Sequence, residues 1–232
     1  MTSAQTELIP AADLAARNKT HHPNESDDYR RARQQLLVEE IELRRKQEQV
    51  SALRRDLPLG GELPRQYHFV DESGSDVTLD ELFGDHDTLL VYSYMFGPER
   101  EKPCPMCTSL MGGLDHKIAD IRQRVAIAFT ARSPIDRLID AKKSRGWTDI
   151  PVYSDETGDY TKAYVSADDA DMPAYNVFVR NDGKILHFWS EEIGSDMADP
   201  GQDPRGLEME PLWTVLDTTP AGRGDWYPKL AY

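Results

Sequence analysis

The sequence predicts an α/β sandwich built on a central mixed sheet, with a long charged helix in front of it. Three observations carry this prediction. The only two cysteines of the 232-residue chain, Cys104 and Cys107, stand with two residues between them, after an apolar strand-like run and at the start of a helical pattern. Strand and helix signals alternate around them, as in α/β proteins. Late in the chain, Asn181-Asp182-Gly183 separates two strand-like runs and signals a hairpin.

Composition narrows the function classes. The formal net charge of −14 argues against nucleic-acid backbones and anionic membranes as partners. No run is long and apolar enough to span a bilayer. The first twenty residues lack the basic start and apolar core of a secretory signal. Two cysteines in a chain of this size suit a reducing compartment, so the expectation is a cytoplasmic protein.

Residues 1–25 are polar, carry Pro10, Pro23 and the pair His21-His22, and read as a mobile arm with a short helix around residues 11–17. The adjacent histidines have the chemistry to bind a metal; a solvated arm is the preferred reading. Residues 26–57 lack Gly, contain no Pro, and are rich in Glu, Gln, Arg and Leu, all good helix formers. Tyr29, Leu36, Leu43, Val50 and Leu57 recur every seven residues, one apolar stripe on a charged helix. Glu39 and Lys46 occupy positions where a coiled coil would carry Leu. A helix docked on its own domain or on a partner subunit is therefore preferred, and the stripe is compatible with a homodimer.

Pro58, Gly60, Gly61 and Pro64 mark the entrance to a second domain, residues 58–232. Residues 67–70 read as a short strand, 71–75 as its turn, and 77–83 as a short helical or bent segment ended by Gly84. Residues 88–96 are nearly continuous in apolar and aromatic side chains, as in a strand buried on both faces. After the cysteines, Met106, Leu110, Leu114, Ile118 and Ile121 share one helical face. Residues 125–130 read as a strand. Ser133, Pro134 and Asp136 resemble a helix start with a capping serine, and Gly146 a C-terminal cap. Short strands at 150–153, 175–180 and 184–189, a helical turn at 161–165 and a last helical piece at 207–216 complete the pattern. The acidic stretch 191–206 reads as a long surface loop.

Cysteines at a helix start invite redox chemistry. The first helical turn leaves backbone N–H groups without partners and carries the positive end of the helix dipole, so a thiolate is favoured there. In Cys-x-x-Cys motifs the first thiol falls from about 8.5 to between roughly 3.5 and 7.5. Cys104 is then the exposed nucleophile, and Cys107, one turn deeper, resolves a mixed disulfide. Pro105 suits the first turn because its missing N–H has no partner there, and Lys102 adds positive charge nearby. Two alternatives stand beside this: a buried cysteine pair without chemistry, and half of a zinc site that His116 or another histidine would complete, although none stands at ligand spacing. The favoured site needs no metal and no organic cofactor.

The Cys104-Pro105-Met106-Cys107 helix start, the Met172-Pro173 step and the Asn181-Asp182-Gly183 hairpin together resemble the thioredoxin fold over residues 67–189. In that fold the residue before a cis-proline presents backbone to substrate beside the active cysteines; the resemblance carries this substrate-binding role to Met172 and Pro173. Residues 151–158 with Tyr164, and residues 177–185, resemble peroxiredoxins and their relatives. A closer likeness is to an uncharacterised bacterial thioredoxin-like family known only as a domain of unknown function. It rests on the charged leading helix, Tyr94-Met95-Phe96-Gly97-Pro98, Gly146-Trp147, and the stretch from Leu216 to Arg223. Departures bear on mechanism. Pro103 and Pro105 replace the Trp and Gly of thioredoxins, and the strand 88–96 offers no buried carboxylate to relay the Cys107 proton. Glu101 stands where peroxiredoxins place a threonine. Arg132 is either the arginine that pairs with the thiolate or a surface arginine at a strand end.

Three functional readings follow. The first is a thiol–disulfide oxidoreductase acting on protein or small-molecule disulfides and reset by an unidentified reductant. The second is a peroxide reductase using the same cysteines. The third is a redox-inert or redox-sensing binding module.

Overall fold

The computed structural model describes residues 8–165, 171–192, 195–200, 211–220 and 227–230. The chain divides into two units, Met1–Pro58 and Leu59–Tyr232. Among the described residues no helix is long and apolar enough to cross a membrane.

The first unit is a helical hairpin. Helix α1 (Ala11–Ala15) lies against α2 (Asp27–Arg55), with Ala11 and Ala15 buried. Arg45 and Arg30 of α2 donate to the carbonyls of Ile9 and Thr20. The stretch expected as a mobile arm is thus, from residue 8 on, chain laid along the long helix. Helix α2 starts where Ser26 Oγ accepts from the Tyr29 N–H at 3.1 Å. Asp27 and Asp28 in its first turn and Arg54 and Arg55 in its last complement the helix dipole. Its heptad stripe is open: Leu36 is 52% exposed and Leu43 59%.

The second unit is a seven-stranded mixed sheet with α-helical layers. In chain order it contains β1 (His68–Val70), β2 (Asp76–Thr78), β3 (Thr88–Ser93), α3 (Pro105–Leu114), α4 (Ile118–Ile121), β4 (Ala126–Ala131), α5 (Ile135–Arg145), β5 (Val152–Ser154), α6 (Asp159–Tyr164), β6 (Ala174–Asn181), β7 (Lys184–Ser190) and α7 (Pro211–Asp217). The strand order is β2-β1-β5-β4-β3-β6-β7. β3, β4 and β5 run parallel; β6 pairs antiparallel with β3, β7 with β6, and β1 with both β5 and β2. A cysteine-bearing helix after the central strand, a parallel neighbour on one side and an antiparallel hairpin on the other make this a thioredoxin-like α/β sandwich.

β3 is apolar throughout because both its faces are covered. Successive side chains of a strand point to opposite faces. Leu89 and Val91 join Phe69, Phe83, Ala128, Tyr160 and Phe178 in one core. Tyr92, Tyr94 and Phe96 join Cys107, Met111, Ile118, Phe129 and Leu138 in the other. The β6–β7 hairpin turns through Asp182 and Gly183, whose φ of 50° and 75° are both left-handed, as a two-residue I′ turn demands.

Several local expectations are corrected. Val77 and Thr78 are not part of a helical segment; they pair with Phe69 and His68 as strand β2, and only Glu81–Phe83 winds as a 3₁₀ turn. Ser133 does not cap α5: its hydroxyl donates to the Gly97 carbonyl at 3.3 Å, which pulls it away from the helix N–H groups. Leu110, Leu114, Ile118 and Ile121 pack in or against the core as expected, but Met106 does not, and the most deeply buried side chains of α3 are Cys107, Thr108 and Met111. Gly146 ends α5 with φ of 66°, as expected of a C-terminal cap. Of the acidic stretch 191–206, residues 193–194 and 201–206 lie outside the described residues, as does the start of the expected piece 207–216.

Candidate functional site

The site lies where β3 runs out and α3 begins. After Ser93 the chain makes a tight exit, with the Tyr94 N–H bonded to the Thr130 carbonyl at 2.7 Å. A loop of residues 97–103 then returns so that the Cys104 N–H meets the Met95 carbonyl at 3.0 Å. That loop is held from α5. Arg137 Nη1 donates to the Pro98 carbonyl at 3.1 Å, its Nη2 donates to the Arg100 carbonyl, and its guanidinium stacks 4.4 Å over Phe96.

Cys104 is the N-cap residue of α3, with extended backbone, and Pro105 follows at the first helical position. Cys104 is half-buried; Cys107, one turn on, is 2% exposed, and both are thiols. Thr108 fastens the turn, its hydroxyl donating to the Cys104 carbonyl at 2.8 Å while Tyr94 Oη donates to Thr108 Oγ1 at 2.7 Å.

The two thiols differ sharply in acidity. The Cys104 thiol is lowered to about 6: the hydrogen bond from Cys107 is the strongest cause and burial opposes it, while the backbone N–H groups of Cys107 and Met106 and the charge of Arg100 add to the lowering. The Cys107 thiol is pushed far up, first by that same hydrogen bond to Cys104, then by burial and by repulsion from the Cys104 charge. Tyr92 hydrogen-bonds to Cys107, which eases the rise, and is itself pushed up by burial and by the cysteines.

The remaining expected residues fall as follows. Met172 is exposed, and the Met172–Pro173 peptide is trans, since the described residues contain no cis peptide bond. This corrects the cis-proline geometry that the thioredoxin resemblance implied. The segment reaches the cysteine loop through Asp171, which pairs with Arg100. Gly97 permits the approach, because a Cβ there would come within 3.1 Å of the Asp171 carboxylate. Arg132 follows β4, with its guanidinium over Gly158 at the start of α6; Arg100 is an arginine whose charge reaches Cys104. His116 stands beside Asp115 and Asp149 at 3.8 Å. Among the described residues no three His, Cys, Asp or Glu side chains are grouped to hold a metal ion.

Sequence reasoning missed Tyr92 and Arg100. Tyr92 had a signal: alternation in β3 puts it on the face that meets α3, and a hydroxyl inside an apolar strand needs a partner. Arg100 had none, because its loop conformation decides where the charge goes.

Solved structures similar to this chain include the hypothetical protein SMc02350 from Sinorhizobium meliloti 1021, at 19% identity and TM-score 0.42 over 65% of this chain and 79% of that one. Another is peroxidoxin BcpB from Mycobacterium tuberculosis, at 19% identity and TM-score 0.41 over 56% and 84%. A third is the thiol peroxidase from Chromobacterium violaceum, at 14% identity and TM-score 0.44 over 70% and 87%. None of the curated proteins matches the chain. The family described as "Bacterial protein of unknown function (DUF899)" matches residues 18–231, and the chain belongs to it.

Proposed function

We propose that this chain is a thiol–disulfide oxidoreductase in which Cys104 is the nucleophile and Cys107 the resolving thiol. The observation that carries the reading is the split between two adjacent thiols, one half-buried at a helix start and lowered to about 6, the other buried and raised.

Cys104 thiolate attacks one sulfur of a substrate disulfide R–S–S–R. A Cys104–S–R mixed disulfide forms and R–S⁻ leaves, taking a proton. At that moment the Cys104 charge is gone. The first and third causes of the raised Cys107 pKa vanish with it while burial still acts, so the Cys107 pKa falls when its attack is needed. The Tyr92 hydroxyl, raised well above its ordinary value, stays protonated and donates to the developing Cys107 thiolate. Cys107 gives up its proton, attacks Cys104 Sγ and releases the second R–S⁻, which takes up that proton, and an intramolecular disulfide is left. Two electrons have passed from the dithiol to R–S–S–R, giving two thiols. A reductant, as yet unidentified, resets the pair; no metal or organic cofactor takes part. A reducing cytoplasm suits this cycle.

The test is a redox titration of the full chain across a dithiothreitol ladder, with free thiols read by alkylation and mass. Joint titration of Cys104 and Cys107 as a two-electron couple between about −120 and −270 mV is expected. Absence of an intramolecular disulfide at every potential overturns the reading and leaves a binding module, whose function would survive Cys104→Ser.

Peroxide reduction is the second reading, and the charge of Arg100 at Cys104 favours it. Here the thiolate is oxidised by a peroxide to a sulfenic acid, and condensation with Cys107 releases water. Glu101, in the place of the peroxiredoxin threonine, weighs against it. Peroxide consumption by the reduced chain separates the two. The open stripe on α2 supports a homodimer through that helix; a monomeric mass in light scattering excludes it.

A further inference from the structure

Helix α2 keeps an apolar stripe open while α1 packs on its other side. Tyr29, Leu36 and Leu43 are each at least half exposed, and Leu57, just beyond the end of the helix, is 40% exposed. Arg45, two residues past Leu43 and so about 200° around the helix, donates to the Ile9 carbonyl, which places α1 opposite the stripe. Beside the stripe a second set recurs every seven residues: Ala32, Glu39, Lys46 and Leu53. Leu53 is 60% exposed, and Glu39 and Lys46 are exposed as well.

These two sets fit one kind of partner, a second copy of the helix running the other way. A parallel pair would set Glu39 against Glu39 and Lys46 against Lys46, and would face alanine with alanine and leucine with leucine at the ends. An antiparallel pair centred near Leu43 reverses each of these mismatches. Glu39 comes beside the partner's Lys46, Ala32 beside the partner's Leu53, Leu36 beside the partner's Val50, and Leu43 beside the partner's Leu43. The two-fold axis makes each unlike contact twice. Lys46 Nζ donates to Gln49 Oε1 at 3.2 Å on its own helix, a neutral group that does not balance its charge. On the outer flank Arg33, which pairs with Glu40 at 2.9 Å, comes toward the partner's Arg54 with that carboxylate between them. A parallel pair staggered by seven residues also brings Glu39 to Lys46, but it is head-to-tail and does not close. The apolar stripe supplies the association; the exposed ion pairs, worth little in strength, supply the direction.

We propose that the stripe is a self-association surface on which two copies of this chain pair α2 against α2, antiparallel, with the two-fold axis close to Leu43. The proposal rests on the homodimer reading and adds its direction; it is independent of the cysteine chemistry. Glu39 and Lys46, which break the leucine pattern of a parallel coiled coil, are the residues that select the antiparallel one.

The test uses the full chain bearing Cys104→Ser; Cys107, at 2% exposure, stays out of reach of the reagent. Tyr29→Cys and Leu43→Cys are added one at a time, treated with a short bis-maleimide, and read as covalent dimer by mass. Leu43→Cys is expected to cross-link. Tyr29→Cys is not, because an axis at Leu43 holds the two Tyr29 positions about 42 Å apart, twice fourteen residues of helical rise. Cross-linking of Tyr29→Cys as efficient as that of Leu43→Cys overturns the proposal, and so does its absence at Leu43. Charge reversal is read separately, by light scattering across a dilution series. Glu39→Lys and Lys46→Glu should each weaken self-association at least about tenfold, since each alters two symmetry-related contacts. An equimolar mixture of the two should regain the wild-type dimer. Both positions are exposed, so these variants keep the fold. Unchanged association of either variant alone overturns the proposal. A monomeric wild-type chain sinks the homodimer reading together with it; a dimer that cross-links at Tyr29 sinks the antiparallel direction alone.

Discussion

Replacing Cys107 with alanine isolates the largest source of Cys104 acidity. The hydrogen bond from the Cys107 side chain leads, burial opposes it, and the helix N–H groups and Arg100 follow. A hydrogen bond to a charged group is worth about 1.5–3 kcal/mol, and Cys104 is only half-buried, so the lower end applies. At about 1.4 kcal/mol per pH unit, the Cys104 midpoint rises from about 6 to about 7. A thiolate of higher pKa is also intrinsically more reactive, by about threefold per pH unit at a Brønsted slope of about 0.45. The two effects oppose each other. Alkylation by iodoacetamide should therefore run about threefold slower than wild type near pH 5, about threefold faster near pH 8, and cross it at about pH 6.5. The assay is pseudo-first-order alkylation of the reduced full chain, with Cys104 read by mass at each pH. Cys107→Ser keeps a donor in place and should hold the midpoint near the wild-type value. This control matters because Cys107 is buried among core side chains, and alanine also changes packing. Equal midpoints in the alanine and serine variants, or a wild-type midpoint near about 8.5, would refute the reasoning.

Other variants address the neighbouring groups. Tyr92→Phe should leave Cys104 alkylation unchanged while a Cys104 mixed disulfide persists about tenfold longer, because the Cys107 thiolate loses a charge-assisted hydrogen bond; quenched-flow mass analysis reads this directly. Arg100→Gln should raise the Cys104 midpoint by roughly half a pH unit, and high salt should shift wild type in the same direction but not the variant, since the influence is Coulombic. Asp115 accepts from the N–H groups of Thr148, Asp149 and Ile150 at 3.0, 2.9 and 3.0 Å, so Asp115→Ala strands three donors and should cost about 2–4 kcal/mol in urea denaturation. Burial raises the Asp115 carboxyl, but those three bonds outweigh it and hold it below its ordinary value of 3.8. Its contribution is therefore complete above that value and is lost as pH falls through the lower folded value; Asp115→Asn should flatten the acid limb of the stability curve.

The sequence by itself determined what depends on neighbours along the chain. Asp182 and Gly183 announce their hairpin because an I′ turn needs two left-handed residues. Gly146 announces the end of α5 for the same conformational reason. The unbroken apolar run of β3 implies cover on both faces, and Pro105 with its flanking cysteines marks a helix start before any partner is known. What faces what was decided by the tertiary structure. The pattern around Ser133 is that of a capped helix, yet its hydroxyl goes to Gly97, 36 residues away, because α5 docks beneath the cysteine loop. Val77 and Thr78 form a strand because β1 offers them an edge. The charge that reaches Cys104 comes from Arg100, whose carboxylate partner Asp171 lies 71 residues further on. Conformational preference is local and leaves its mark in adjacent residues. Electrostatic influence on a thiolate falls with distance through space, and folding alone sets that distance.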